Sequence, residues 1–246
     1  MSTLKIQSYQ HPEWLTNTYL VTDPASQSAL LIDAGVPVRL FKKAITSAGV
    51  ELKGILITHS HFDHIDQLPE WSVKCQVNVY GHSLGASALG GTLTSPLQGG
   101  EELIFGGIKV RVISTPGHST DHLSFLVNDH YLFSGDLLFK GSVGGSQYGN
   151  FRSLKSSLMD TIMKLPPDTV VYPGHSGPST IGVEWEKNPF ILAFRGLSKE
   201  ENIPCTYKGA AGIIRLTGTD YDGDKKYLVE FPTKKEILPA DAIQLS

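Results

Sequence analysis

The sequence predicts an α/β fold followed by a small all-β module, and three observations carry that prediction. β-rich runs alternate with segments of helical apolar spacing, clusters of His, Asp and Gly follow directly on apolar runs, and near Ser198 the texture changes to short strands separated by Gly, Asp and Pro. We therefore expect a larger domain over residues 1–197 and a small β module over residues 198–246.

Taken in order, Leu4 to Tyr9, Asn17 to Thr22 and Ala29 to Asp33 are short β-rich runs separated by polar or Pro-containing turns, a meander of strands. Val38, Phe41, Ala44, Ile45 and Ala48 then fall at helical spacing, with Pro37 at the start and Gly49 just past the end. Gly54 to Thr58 is a strand that runs into the stretch THSHFDHID. Val77 to Tyr80, Ile108 to Ile113, Leu123 to Val127 and Tyr131 to Phe133 are further strands, Phe151 to Lys164 is a helix ended by Pro166-Pro167, and Val170 to Tyr172 is a last apolar strand. In the C-terminal segment, Gly212 to Thr217, Lys226 to Phe231 and Glu236 to Leu245 are strands, the first two joined by the turn TDYDGD.

Composition narrows the function classes. A chain of 246 residues with 40% hydrophobic residues can bury a core without disulfide or metal staples. A formal net charge of -3 gives no reason to expect nucleic acid or an anionic membrane as partner, and the C-terminal segment, with seven Lys and Arg against eight Asp and Glu, lacks the basic character of a nucleic-acid-binding barrel. No run approaches the roughly 20 apolar residues of a membrane span, and MSTLKIQSYQHPEW has neither basic n-region nor apolar h-region, so a cytoplasmic location is expected. Cys75 and Cys205 form no CxxC pattern and read as buried thiols.

The chemistry concentrates at strand ends. Within THSHFDHID, His59, His61, Asp63 and His64 offer imidazole and carboxylate donors suited to zinc, iron or manganese, and they converge only if the backbone turns sharply after the strand. His118 in TPGHS, Asp136 in SGD and His175 in PGHSGP each follow a strand and sit beside glycine. Five His and two Asp are too many for one ion, which a catalytic site holds with three protein ligands plus water, and they suit two. His122 fits packing or support of a ligand, Asp66 either support of a histidine or an ordinary helix-start carboxylate, and His11, His82 and His130 have no partner pattern.

HxHxDH at 59–64, then His118, Asp136 and His175 in that order, resembles the metallo-β-lactamase superfamily over roughly residues 1–190. Within it the chain is similar to the glyoxalase II branch, the hydroxyacylglutathione hydrolases, and to its short bacterial members, which VVYPGHSGPSTIGVEWEKNPF resembles. The resemblance implies an αββα sandwich. It also implies that His59, His61 and His118 hold one divalent metal ion and Asp63, His64 and His175 a second, with Asp136 bridging them and zinc foremost over iron or manganese. Asp33, in LLIDAG, resembles a turn whose carboxylate holds a ligating imidazole by its other nitrogen. The implied enzyme is a hydrolase using a metal-bridging hydroxide, with Asp63 able to return a proton. A small-molecule thioester suits it, because a thiolate of pKa about 8.5 leaves without a strong general acid.

The loop DLLFKGSVGGSQYGN departs from the family. Where long glyoxalase II enzymes carry a lysine and a tyrosine for glutathione, this chain has Gly145 and Gln147, and where short bacterial members show Arg-Thr-Asp it has Gly145-Ser146-Gln147. Lys140 and Tyr148 are the nearby candidates for substrate contact. The C-terminal segment resembles a small SH3-like barrel, a stability cap, dimer contact or partner-binding module. Other readings of the motif set are a persulfide dioxygenase with one iron on His59, His118 and Asp136, a lactonase or phosphodiesterase, and a binding protein that keeps the site for structure.

Overall fold

The computed structural model describes residues 4–245, so the outermost residues of both expected domains, 1–3 and 246, lie outside the described residues. By internal contacts the chain forms two compact units, Met1–Ser114 with Asp121–Gly135, and Thr115–Thr120 with Asp136–Ser246.

In the first unit, β1 (Lys5–Gln10), β2 (Asn17–Asp23) and β3 (Ser28–Ile32) form an antiparallel meander. Helix α1 (Val38–Ala48) crosses over to β4 (Glu51–Leu56), which lies parallel to β3. Two further helices, α2 (Phe62–Ile65) and α3 (Leu68–Cys75), lead to parallel β5 (Val79–His82) and β6 (Ser95–Leu97), giving the order β1-β2-β3-β4-β5-β6. All residues of β2 and β3 are buried, as expected of strands covered on both faces. One face packs on α1 and α3 through Leu20, Leu31, Ile55, Ile57, Phe41 and Trp71.

The other face meets a second sheet, the antiparallel ladder β7 (Glu102–Phe105), β8 (Ile108–Ser114), β9 (Leu123–Val127) and β10 (Tyr131–Gly135). Tyr19 packs on Phe133 with ring centroids 5.3 Å apart, and Tyr80 on Phe105 at 5.4 Å. Helix, sheet and sheet are three layers of the expected αββα sandwich; the remaining helices belong to the second unit. α1 ends as its sequence requires: Gly49 adopts φ 62°, and its N–H returns to the carbonyls of Ile45 and Thr46. Helix α3 goes beyond the sequence expectation, since its pattern is short, and Trp71 secures it by donating from Nε1 to the Val36 carbonyl at 2.7 Å.

The second unit begins with the hairpin β11 (Leu138–Phe139) and β12 (Ser142–Val143). The helix expected over Phe151 to Lys164 is α4 (Phe151–Ser156), capped by Asn150, and continues through a π-helical turn over Ser157–Thr161 and a 3-10 turn over Ile162–Lys164. Strands β13 (Val170–Pro173) and β14 (Ser179–Thr180) pair antiparallel, and α5 (Ile181–Lys187) and α6 (Pro189–Phe194) follow.

The C-terminal strands are β15 (Ile203–Tyr207), β16 (Ala210–Thr219), β17 (Lys225–Glu230), β18 (Lys235–Pro239) and β19 (Gln244–Leu245), in the order β18-β17-β16-β15-β19. This antiparallel sheet has its own core of Cys205, Ile214, Tyr227, Val229, Phe231 and Leu238. The single strand expected over Glu236 to Leu245 is broken after Pro239 by a 3-10 turn at Ala240–Ala242. β15 escapes a reading of the sequence because Pro204 interrupts its pattern.

Candidate metal centre

In the first unit the donor-rich stretch begins where β4 leaves its sheet. Ile55, Leu56, Ile57 and Thr58 are buried, and the Thr58 N–H and Oγ1 donate to the two oxygens of Asp33 at 2.8 and 2.9 Å. Asp33 sits at the end of β3 with φ 58°, a left-handed conformation that turns its carboxylate back toward this strand end. The same carboxylate meets His64 Nδ1 at 2.7 Å, leaving Nε2 as the donor atom of that ring.

The single turn of α2 supplies the sharp bend, carrying Asp63 and His64, with His61 immediately before it. His59 Nε2 and His61 Nδ1 lie 3.0 Å apart, and His64 Nε2 lies 3.5 Å from Asp63 Oδ2, which accepts from Thr16 Oγ1 at 2.6 Å. The Ser60 N–H donates to buried Asp121 at 2.9 Å, fixing the peptide between the first two histidines. His122 is buried, with its ring centroid 5.1 Å from that of His59. Gly135 is required beside it: φ is 49°, and a Cβ there would stand 2.7 Å from His122 Nε2.

In the second unit, His118 Nδ1 lies 2.9 Å from the Gly145 carbonyl, so the Nδ1–H donates and Nε2 keeps its lone pair. Asp136 Oδ2 stands 3.6 Å from His118 Nε2 and 3.3 Å from His175 Nε2. The imidazole of His175 is stacked by Tyr221, with centroids 4.0 Å apart and planes at 16°, and meets Phe139 edge-on at 5.7 Å. Gly144 permits this crowding, since a Cβ there would stand 1.8 Å from the Asp136 carbonyl oxygen.

The donor spacings within each unit are those of metal ligands. Ligands about 2.0–2.1 Å from a tetrahedral zinc lie about 3.3 Å from one another. The donor pairs within the units, at 3.0, 3.5, 3.6 and 3.3 Å, have that spacing. Of the donors, His59, His64, Asp136 and His175 are buried and His61, Asp63 and His118 half-buried, and carboxylates in such positions are costly unless a cation compensates them.

The other expected residues lie elsewhere in these networks. Asp66 accepts from the Gln67 side-chain amide. Lys140 is exposed, its N–H reaching Ser176 Oγ at 3.4 Å, and Tyr148 is 72% exposed. His11 and His82 accept backbone N–H groups in local turns, and His130 packs edge-on against Tyr131. Sequence reasoning misses Thr16, Asp121, Tyr221 and Lys226. Asp121 is within sight, directly before His122, but Thr16, Tyr221 and Lys226 carry no local motif. Lys226 is 3% exposed, pairs with Asp220 at 2.6 Å and donates to the Val143 carbonyl at 2.7 Å. Burial pulls its ammonium below the ordinary lysine value, against the opposing charge of Asp220.

Residues 11–175 match the family model of the metallo-beta-lactamase superfamily, and the chain belongs to that superfamily. It is 31% identical over 196 residues to the probable metallo-hydrolase YqgX of Bacillus subtilis, covering 72% of this chain and 92% of that protein. It is 36% identical over 164 residues to a hydroxyacylglutathione hydrolase-like protein of Homo sapiens, covering 64% of this chain and 54% of that protein, so it spans about half the length of that relative. Among solved structures it is similar to ETHE1 from Myxococcus xanthus, with TM-score 0.70, 29% identity, and coverage of 78% of this chain and 88% of that one.

Proposed function

We propose that this member of the metallo-β-lactamase superfamily is a metal-dependent thioesterase acting on an acyl-thiol of hydroxyacylglutathione type. In this reading His59, His61 and His118 serve one divalent cation, Asp63, His64 and His175 a second, and Asp136 both, with zinc foremost. The observation that carries it is Asp136 Oδ2, one carboxylate oxygen within 3.6 Å of His118 Nε2 and 3.3 Å of His175 Nε2, as a shared ligand would be. Bound divalent cations would supply an acidified water and polarise the carbonyl under attack.

The chain's own residues supply orientation and proton handling. Asp33 and the Gly145 carbonyl hold the Nδ1 atoms of His64 and His118, which commits each Nε2 to coordination. Asp63, with Oδ2 accepting from Thr16, is the carboxylate we assign to return a proton. A thiolate of pKa about 8.5 can depart without a further acid, which favours a thioester over a lactone or phosphodiester. Hydroxyacylglutathione hydrolase-like relatives support the same choice. Gly145 brings its carbonyl to His118 and offers no side chain to a thiol moiety, so the proposed substrate class includes related acyl-thiols beside acyl-glutathione.

Thiol release from S-acyl substrates, followed beside metal content, tests the reading. Chelation and Asp136→Ala should each lower the rate by at least about 100-fold, in line with loss of the metal's contribution. A metal-loaded protein inert on every acyl-thiol tried would sink it. One iron per chain with oxygen uptake on a thiol persulfide would replace it with a dioxygenase.

A further inference from the structure

The turn TDYDGD between β16 and β17 is more than a link between strands of the C-terminal sheet. It is built from within: the Asp220 N–H donates to the Asp224 carbonyl at 2.7 Å, and the Tyr221 N–H to Asp220 Oδ1 at 2.8 Å. It is also tied to the hairpin that follows Asp136. Asp220 accepts from Lys226 at 2.6 Å and Ser142 Oγ at 3.4 Å, and Lys226 donates to the Val143 carbonyl at 2.7 Å. Lys226 Nζ lies 5.2 Å from the Phe139 ring centroid and 5.8 Å from that of Tyr221.

This anchoring delivers the Tyr221 ring onto the His175 imidazole, face to face at 4.0 Å and 16°. Phe139 meets both rings edge-on, at 5.3 Å from Tyr221 and 5.7 Å from His175. An imidazole turns about its χ2 unless something flat opposes it, and a ligand must be held to within about 10–20°. Stability alone does not account for the buried Lys226–Asp220 pair, because apolar replacements of such pairs are commonly neutral or stabilising.

We propose that the C-terminal sheet is a working part of the metal centre, with Tyr221 as a positioning residue that sets the plane of His175 and the Lys226–Asp220 pair holding Tyr221 in place. The inference rests on the metal-binding part of the proposed function and not on the thioester.

The test compares wild type, Tyr221→Phe, Tyr221→Leu and Tyr221→Ala in the full chain, by zinc affinity in chelator competition and by the absorption spectrum of the cobalt(II)-loaded protein. Tyr221→Phe keeps the stacked face and should stay within about threefold of wild type, while Tyr221→Ala and Tyr221→Leu should weaken the more sensitive ion about 10–100-fold and alter the cobalt bands. Tyr221→Leu preserves bulk, so it decides the matter if Tyr221→Ala does not fold. Wild-type affinity and an unchanged cobalt spectrum in folded Tyr221→Leu would overturn the inference, as would an equal loss in Tyr221→Phe. Metal binding by wild type without thioester hydrolysis would remove the substrate assignment and leave this inference standing, and no metal binding at all would end both.

Discussion

At Asp33 one carboxylate serves three groups: the N–H and hydroxyl of Thr58 and the Nδ1 of His64. The first two fix the strand end from which the donors project, and the third orients a donor. Asp33→Asn keeps the shape but removes the negative charge that would make the imidazole a better ligand in the proposed centre. Zinc affinity should fall about 10–100-fold in chelator competition. Unchanged affinity would mean that the carboxylate serves only the fold of the strand end.

The elements around the second unit's donors depend on buried polar networks. Asn188 caps α6 by accepting from the N–H groups of Phe190 and Ile191 at 3.0 and 3.3 Å, while its amide donates to the Ser142 carbonyl and Glu184 at 2.9 Å each. Asn188→Ala removes the cap and strands buried acceptors, for a loss of about 2–4 kcal/mol in denaturant unfolding. The C-terminal sheet should show a pH signature. Lys226 has a folded-state pKa below the ordinary lysine value of 10.5, so between the two values the unfolded chain binds more protons and stability rises with pH. The cost of burying its charge is therefore full below the folded pKa and relieved as pH climbs toward 10.5. The stability of Lys226→Met/Asp220→Asn relative to wild type should decline as pH climbs toward 10.5 in denaturant titrations. A difference that stays level would mean that Lys226 is not destabilised by burial.

For the whole chain, a bound metal would couple binding to folding. An ion that binds only the folded state at about 100 times its Kd adds about 2.7 kcal/mol, which for a chain of this size raises Tm by about 5–10 °C. Chelation should lower Tm by that amount in a thermal melt, and a melt indifferent to chelator and added zinc would contradict a tightly held metal. Among the described residues no helix is long and apolar enough to cross a membrane.

Much of this is legible in the residues themselves because the information is local. Helix α1 follows from apolar spacing between Pro37 and Gly49, and THSHFDHID declares its chemistry by packing donors into one strand end. Helix α3, strand β15 and the break after Pro239 are not legible, because short elements draw their stability from packing and not from a repeating pattern. The sequence alone determined the donor types, their order along the chain and the superfamily resemblance. Which oxygen of Asp33 faces His64, and that Tyr221, 46 positions beyond His175, lies on its ring, emerge from tertiary packing. Contacts between distant residues are set by how sheets and turns pack, and no spacing within either segment encodes them.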